Sequence, residues 1–298
     1  MLVIVAPGQG AQTPGFLAPW LDLPGFADRM SAWSEIVGLD LIAYGTTANA
    51  DEIRDTAVAQ PLLVAASLAA AEQLGADPGL VAGHSVGEFA AACVAGVLTP
   101  EQALGLVRER AQAMAKAAAI TETGMTAILG GVEDDVLAAI ERHGLTPANI
   151  NGAGQIVAGG TLAQLAAFKE DAPARARLIP LSVAGAFHTV HMAPAVEQLR
   201  AAAADVTPGD PQVTLLSNFD GRPVATGADL LSRLVAQVAS PVRWDSCMTT
   251  MIELGATRMI ELLPGGTLTG LAKRGMRGVA TAALKTPEDL DSARELLK

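Results

Sequence analysis

The sequence is poor in aromatic residues and in positive charge, and both shortages narrow the possible functions. Aromatic residues make up 3% of the 298 residues although 50% are hydrophobic, so the core must be built from small aliphatic side chains. Lysine and arginine number 20 against 31 acidic residues, which gives a formal net charge of −11. Nucleic-acid-binding domains carry a basic surface or stripe. We therefore expect no nucleic-acid partner.

Cysteine is also scarce, since Cys93 and Cys247 are the only two. Neither lies in a metal-ligand spacing, and two cysteines in a chain of this length do not form a disulfide framework. We expect two reduced, buried thiols, as in a cytoplasmic protein, and no metal site.

Long hydrophobic runs are missing as well. The first residues, MLVIVAPGQG, have no charged segment, and their apolar run is too short for a signal peptide. No stretch of 18 or more apolar residues occurs, and the alanine-rich run from Leu62 to Ala71 is interrupted by Ser67. This run is typical of a buried helix, and we expect no membrane partner.

The first and last thirds alternate short apolar runs with helical patterns. Leu2 to Ala6 and Leu80 to Ala82 have the pattern of buried parallel strands, and Gln60 to Leu74 predicts a helix with Pro61 in its first turn. Thr99, Pro100 and Gln102 form the signature of a capping box at the start of a further helix. The fold class is α/β, with a largely parallel sheet covered on both faces.

The middle third has a different order, β-α-β-β-α-β, which is the ferredoxin-like pattern. A second capping box at Thr161 and Gln164 opens its second helix. We predict that residues 120–188 form an inserted small domain and that residues 1–119 and 189–298 together form the large domain.

A G-x-S-x-G motif at Gly83–Gly87 lies between a predicted strand and a predicted helix. In this setting the glycines allow a sharp turn that raises the serine above the sheet edge. The helix that follows directs its free N–H groups at the site, where they favour negative charge. The motif therefore predicts Ser85 as a nucleophile.

A nucleophilic serine needs a base, and the sequence has four histidines. His143 ends a predicted helix and has the pattern of an exposed structural residue, and His84 adjoins Ser85 on the strand side and is better explained as orienting the turn. His188 and His191 follow the last strand of the small domain, where the chain must return to the large one. No acidic residue stands out near them, so a backbone carbonyl is an alternative third group.

Two further segments can contribute to such a site. The loop from Pro7 to Gln12 follows the first strand, and the N–H groups of Gln9 and Val86 could together stabilise an oxyanion, although a plain structural turn explains the loop equally well. The helix from Pro100 carries Arg108 and Arg110; either is a solvated surface residue unless it enters the cleft, where it would bind a carboxylate.

Taken together, these residues resemble the malonyl-CoA:acyl-carrier-protein transacylase family, which includes the acyltransferase domains of fatty-acid and polyketide synthases. The resemblance covers the chain from end to end. The matching segments, in order, are Gly8–Gln12, Gly83–Ala91, Val107–Arg110, Asn151-Gly152 with Gly154-Gln155, Phe187-His188 with Met192, Gln237, Pro241–Trp244 and Leu268–Leu271.

The resemblance implies an α/β-hydrolase-like core with a ferredoxin-like insert, and it implies a role for each matching residue. Ser85 would carry the acyl group, His188 would be the base, the backbone carbonyl of Gln237 would orient His188, and Gln9 and Val86 would form the oxyanion hole. Arg110 would pair with the malonyl carboxylate, and Met114, Asn151 and Phe187 would lie near the acyl pocket.

The substrates implied are malonyl-CoA and a holo acyl carrier protein, with no cofactor, in a cytoplasmic monomer. One departure concerns Gly185, where malonyl-selective synthase domains often have histidine before Ala-Phe-His, and it leaves acyl selectivity open. A positive patch of Lys273, Arg274 and Arg277 is a candidate docking surface for an acidic carrier protein, although a solvated helix end explains it equally well. A serine esterase or thioesterase that uses Ser85 is an alternative, as is a non-catalytic synthase subunit.

Overall fold

The computed structural model describes residues 1–298, which form ten strands and twelve helices around two sheets. The strands are Leu2–Ala6 (β1), Leu80–Gly83 (β2), Thr123–Gly130 (β3), Thr146–Gly152 (β4), Gln155–Thr161 (β5), Ala176–Leu181 (β6), Thr214–Leu215 (β7), Val242–Arg243 (β8), Arg258–Glu261 (β9) and Ala280–Ala283 (β10). The helices are Phe26–Val37 (α1), Leu41–Thr46 (α2), Thr56–Leu74 (α3), Gly87–Val94 (α4), Pro100–Ala118 (α5), Glu133–Arg142 (α6), Leu162–Glu170 (α7), Ala193–Ala204 (α8), Gly227–Gln237 (α9), Trp244–Glu253 (α10), Thr267–Gly275 (α11) and Asp289–Glu295 (α12).

The first sheet is parallel throughout, in the order β10-β9-β1-β2-β7. Ala6 pairs with Gly83 where β1 and β2 end. The loop after β1 and the turn after β2 therefore leave the sheet side by side at its carboxyl edge. In open parallel sheets this edge is where ligands bind.

The second sheet has the order β6-β3-β5-β4-β8. Its first four strands are antiparallel neighbours and come from the middle third in the predicted β-α-β-β-α-β order. The fifth strand, β8, lies far along the chain and pairs in parallel with β4 through Asn149 and Val242. The sequence pattern did not predict β8, because a two-residue strand is defined by its partner rather than by periodicity. The fold is therefore mixed α/β, with one parallel and one mixed sheet.

Buried apolar side chains form three clusters of 57, 15 and 8 residues. The smallest cluster draws only on the middle third and includes Ile128, Ile140 and Phe168. The middle third thus has a small core of its own. The largest cluster extends from β1 through α3, α4 and α5, so the helices around the serine turn belong to the main core.

The predicted start of α3 at Gln60 was wrong. The helix begins at Thr56, and the side chain of Asp55 caps it by accepting the Ala57 N–H at 2.8 Å. Pro61 therefore lies inside the helix rather than in its first turn. The Asp55 cap supplies an earlier start that keeps the run to Leu74 continuous, and Pro61 simply lacks an N–H for the Ala57 carbonyl.

By length and composition α3 could cross a membrane, but 78% of its most apolar 18-residue stretch is buried inside the protein. The helix has buried apolar residues on all of its faces, and Leu62, Leu63 and Ala65 are fully buried. A helix that is hydrophobic all round is typical of a protein core.

Both predicted capping boxes are confirmed. Thr99 Oγ1 accepts the Gln102 N–H at 3.2 Å while Gln102 Oε1 accepts the Thr99 N–H at 3.0 Å. In the second box Thr161 Oγ1 accepts the Gln164 N–H at 3.2 Å, and Gln164 Oε1 accepts the Thr161 N–H at 2.9 Å. The first box fixes the start of α5, the helix that carries Arg110.

Candidate active site

Ser85 lies in the sharp turn between β2 and α4 with a φ angle of 52°. A side chain other than glycine rarely adopts this left-handed conformation, and such strain concentrates at functional sites. A Cβ atom added to Gly83 would lie 2.0 Å from the main-chain carbon of Gly87, and one added to Gly87 would lie 2.3 Å from the Ala6 carbonyl oxygen. Both motif glycines are therefore required by close backbone packing.

Asn218 holds the serine turn from both sides. Its Oδ1 accepts the Ser85 N–H at 2.7 Å, and its Nδ2 donates to the Gly83 carbonyl at 2.7 Å. Asn218 is fully buried. One amide side chain thus satisfies a donor and an acceptor that the turn itself leaves unpaired, which stabilises the strained backbone.

His188 lies within hydrogen-bond reach of the serine. Its Nε2 is 2.7 Å from Ser85 Oγ, and its Nδ1 is 2.8 Å from the main-chain carbonyl of Gln237. A carbonyl can only accept, so Nδ1 carries the proton and Nε2 is free to take one from the serine. Burial, helped by the charge of Arg110, lowers the pKa of His188 to about 3, so the imidazole is neutral at pH 7.

Arg110 enters the site from α5 and is fully buried. Its Nη2 donates to Gln237 Oε1 at 2.9 Å and to Ser85 Oγ at 3.3 Å, and its Nη1 donates to Gln60 Oε1 at 2.6 Å. Burial lowers its pKa to about 10, so it is still charged at neutral pH. Its Nε has no partner inside the protein, and a carboxylate that reached it would accept a hydrogen bond from this donor.

The side of Arg110 away from Ser85 is lined by α3, α4 and α5. Gln60 Nε2 lies 3.5 Å from the sulfur of Met114, and the guanidinium carbon of Arg110 lies 6.0 Å from the centre of the Phe89 ring. Met114 is buried and connects to Arg110 through Gln60. The arginine is thus held between the Gln60 amide and the Phe89 ring.

The predicted oxyanion donors flank the turn. The side chain of Gln9 is anchored to the Arg54 carbonyl and Thr56 Oγ1, each at 3.4 Å, and Val86 is buried at the start of α4. Neither the Gln9 nor the Val86 main-chain N–H has an acceptor within the protein. Both groups are therefore available to a developing negative charge.

A cavity of about 420 Å³ opens beside the turn. Its wall includes Gln9, His84 and Asn151, with Leu268 and Leu271 contributed by α11. The His84 Nε2 and Asn151 Oδ1 atoms are 2.9 Å apart, so the His84 side chain bonds to a residue of the cavity wall and not to Ser85. The cavity therefore adjoins the turn through Gln9 and His84.

Phe187 is buried in the main core, with its N–H donating to the Gly185 carbonyl at 3.1 Å. A Cβ atom at Gly185 would lie 2.8 Å from the Cβ of Ala118. The absence of histidine at this position therefore follows from the close approach of α5. The structure brings Ser85, His188, Gln237 and Arg110 into direct contact but gives Phe187 no hydrogen bond to them.

His143 is not part of the cluster around Ser85. His143 is hydrogen-bonded to Asp171 at 3.0 Å and packs edge-on to Phe168, with only 16% of its side chain exposed, so the prediction of an exposed residue was wrong. Gln60, Glu88 and Asn218 were not among the predicted site residues. Glu88 stands within the matching segment Gly83–Ala91, but the other two carry no local signal.

The arrangement can support acyl transfer through a serine ester, and comparisons with known proteins agree. The family model described as acyl transferase domain matches residues 3–289. The malonyl CoA-acyl carrier protein transacylase of Mycobacterium tuberculosis (strain H37Rv) is 52% identical over 99% of this chain and 100% of its own length. The protein of that name from Escherichia coli (strain K12) is 33% identical over 98% of both.

Solved structures agree as well. The crystal structure of MCAT from Mycobacterium tuberculosis superposes with a TM-score of 0.95 at 51% identity and covers 99% of both chains. A malonyl-transacylase solved in complex with its type II PKS acyl-carrier protein superposes with a TM-score of 0.92 at 31% identity, over 99% of both chains. The chain belongs to the malonyl CoA-acyl carrier protein transacylase family of acyl transferase domains.

Proposed function

We propose that the protein transfers a malonyl group from malonyl-CoA to the phosphopantetheine thiol of an acyl carrier protein, through a malonyl ester of Ser85. The observation that carries the proposal is the buried guanidinium of Arg110, 3.3 Å from Ser85 Oγ. A serine with a neutral histidine predicts acyl transfer in general. A buried cation beside that serine selects an acyl group that ends in a carboxylate.

In the first half-reaction His188 Nε2 takes the hydroxyl proton while Ser85 Oγ attacks the thioester carbonyl carbon. The Gln9 and Val86 N–H groups stabilise the tetrahedral oxyanion, and the loss of one such donor typically costs about 2.7–4 kcal/mol of barrier. The C–S bond then breaks, and His188 returns the proton to the departing coenzyme A sulfur.

In the second half-reaction the carrier protein's thiol gives its proton to His188 and attacks the ester carbonyl. Ser85 Oγ leaves and regains a proton from His188, which restores the free enzyme. No step requires a cofactor, because coenzyme A enters only as the carrier of the substrate.

Arg110 provides the selectivity. An acetyl group would leave the guanidinium buried without a carboxylate partner, and the desolvation cost of an unpaired charged group disfavours that complex. Met114, Asn151 and Phe187 complete the acyl pocket in this proposal. Asn151 lines the open cavity, whereas Met114 and Phe187 lie deeper in the core.

The acyl carrier protein would dock at the cavity mouth. Lys273, Arg274 and Arg277 are exposed at the end of α11 and form no ion pair within the protein. Leu268 and Leu271 of the same helix line the cavity, which supports this surface as the docking site. The family resemblance further supports a cytoplasmic monomer.

We also propose the finer division of the fold. Residues 120–188 form a ferredoxin-like domain inserted in an α/β-hydrolase-like domain made of residues 1–119 and 189–298. The strand order β6-β3-β5-β4 and the separate core of the middle third support the insert, and the parallel sheet with its serine turn supports the large domain.

Intact mass spectrometry after incubation with malonyl-CoA tests this function. We expect one malonyl adduct per chain, located on Ser85, that persists until holo acyl carrier protein is added and then moves to the carrier. Rapid release of free malonate would instead support a thioesterase. No adduct and no hydrolysis would support a non-catalytic subunit and contradict the proposal.

A further inference from the structure

Glu88 is a buried acid that the acyl-transfer steps do not use. It lies on α4 three residues after the nucleophile and is 1% exposed. One carboxylate oxygen accepts the Asn218 main-chain N–H at 2.6 Å, and the other accepts a short hydrogen bond from Gln237 Nε2. A buried carboxyl is costly unless its oxygens are paired, so these two partners define what it does.

Both partners of Glu88 in turn hold a reacting group. The main-chain carbonyl of Gln237 accepts the Nδ1 proton of His188, and its side-chain Oε1 accepts from Arg110. Asn218 accepts the Ser85 N–H. A single carboxyl group therefore lies one residue away from the nucleophile, the base and the acyl-selecting cation.

We propose that Glu88 is a positioning residue whose ionised carboxylate holds Gln237 and Asn218, and through them His188 and Ser85, in the arrangement required for acyl transfer. The inference rests on the proposed function. It adds a residue that contacts no substrate but sets the geometry of those that do.

The two hydrogen bonds favour the ionised form of the group. Both partners are N–H donors, and only a carboxylate offers each of them an acceptor oxygen without a competing proton. A protonated acid would accept one of these bonds more weakly, and a glutamine would place a donor against one of the N–H groups. The Gln237 amide would then turn over and present its NH₂ group to the Arg110 guanidinium, which has no acceptor.

Other charged or titratable groups face Glu88 from each neighbouring element. They are Arg110 on α5, the Ser217 hydroxyl beside Asn218, and the Cys247 thiol on α10. Burial raises the pKa of Glu88 to about 7 against the opposing hydrogen bonds and the Arg110 charge. Burial raises the pKa of Cys247 far above neutrality, so this thiol does not titrate over the same range.

The test compares wild type, Glu88→Gln and Glu88→Asp in malonyl transfer from malonyl-CoA to holo acyl carrier protein at pH 5.5 to 8.5. The matched control is Glu261→Gln, which alters a fully buried carboxylate that caps α11 through the Leu268 and Thr269 N–H groups. Malonylation of wild-type Ser85 is measured first by intact mass, so that failure of the proposed function is recognised separately. Melting temperatures are recorded for every variant.

We expect the wild-type kcat to fall as the pH drops through about 7. Glu88→Gln should lower kcat at pH 8 by about tenfold to a hundredfold, because small misplacements of reacting groups have effects of this size. Its KM for malonyl-CoA should change little, and its kcat should be flat from pH 6 to 8. Glu88→Asp should keep an acid limb at reduced kcat, and Glu261→Gln should lower the melting temperature without changing the shape of the profile.

A malonylating wild type whose kcat is constant from pH 6 to 8 would overturn the inference without any variant. So would a Glu88→Gln enzyme with the wild-type kcat and the wild-type acid limb. A lower melting temperature with the wild-type kcat at every pH in Glu88→Asp would show a purely structural role and would also overturn it.

Discussion

The main-chain carbonyl of Gln237 accepts the Nδ1 proton of His188 at 2.8 Å, in the place where serine triads have a carboxylate. The carbonyl fixes the tautomer that leaves Nε2 free for Ser85. It adds no negative charge beside the ring, and with burial and Arg110 nearby the pKa of His188 falls to about 3. The His188 imidazole therefore stays neutral throughout the physiological range.

Replacing His188 by Asn should abolish its function as a base. Asparagine is chosen because it tolerates the left-handed backbone at this position, where φ is 60°. Formation of malonyl-Ser85, followed by rapid-quench mass spectrometry, should slow by about 10²–10⁴-fold. His191→Asn is the control, because the His191 side chain forms no hydrogen bond and its main-chain N–H donates to Thr189 Oγ1; equal rates in the two variants would contradict the assignment.

Arg110→Ala should lose malonyl transfer and gain transfer of uncharged acyl groups such as acetyl. Hydrogen bonds to charged groups contribute about 1.5–3 kcal/mol each, so two of them correspond to a loss of at least about 100-fold in kcat/KM for malonyl-CoA. The ratio of malonyl to acetyl transfer measures the effect. Arg108→Ala, on the same helix but paired with Glu109 at the surface, should leave the ratio unchanged. An unchanged ratio in Arg110→Ala would exclude Arg110 as the carboxylate partner.

The stability of the protein should depend on Glu88 with a defined sign. Burial raises the pKa of this carboxyl from 4.5 to about 7, so between these values the folded state binds more protons than the unfolded state. The Glu88 contribution to the free energy of unfolding therefore falls as the pH rises through this window, by up to about 3 kcal/mol. His188 acts in the opposite direction, because its lowered pKa reduces stability as the pH falls below 6.5.

Glu88→Gln removes the pH dependence of stability that Glu88 contributes and keeps the one that His188 contributes. Urea unfolding at pH 5, 6, 7 and 8 should therefore show Glu88→Gln gaining stability relative to wild type as the pH rises. Two stability curves that run parallel across this range would contradict a raised carboxyl pKa in the folded protein.

Two glycine substitutions should change the stability of the protein in opposite directions. A Cβ at Gly83 would lie 2.0 Å from backbone atoms of Gly87, so Gly83→Ala should destabilise by about 4 kcal/mol or more, or prevent folding. Gly105 lies in α5 with open space around the added atom, and Gly105→Ala should stabilise by about 0.5–1 kcal/mol. Thermal unfolding measures both, and similar melting temperatures would show that the serine turn is looser than described.

Features set by neighbours in the sequence could be predicted from it. The capping boxes at Thr99 and Thr161 need only residues three positions apart, and the serine turn needs only two glycines and the elements beside it. The start of α3 was predicted incorrectly because Pro61 is a strong local signal and the Asp55 cap a weak one. Helices α1, α2 and α8 were not predicted, and β8 has no pattern of its own.

The residues of the site likewise divide into those that could be predicted from the sequence and those that could not. Ser85, His188, Gln237 and Arg110 could be proposed because their motifs occur in a recognisable order. Gln60, Glu88 and Asn218 could not, because a buried polar residue acquires its role from partners that are distant in sequence. Asn218 lies 133 positions from the serine whose N–H it accepts, and 130 from the carboxylate that holds it.

The sequence by itself determined the nucleophile turn, the α/β alternation and the order of motifs that indicates acyl transfer, because each depends on residues close together in the chain. Only the tertiary structure decided which groups surround Ser85, since hydrogen bonds and charge act over a few ångströms irrespective of sequence separation. Helix α5 brings the arginine, the end of α9 the carbonyl and α4 the buried carboxyl around one serine.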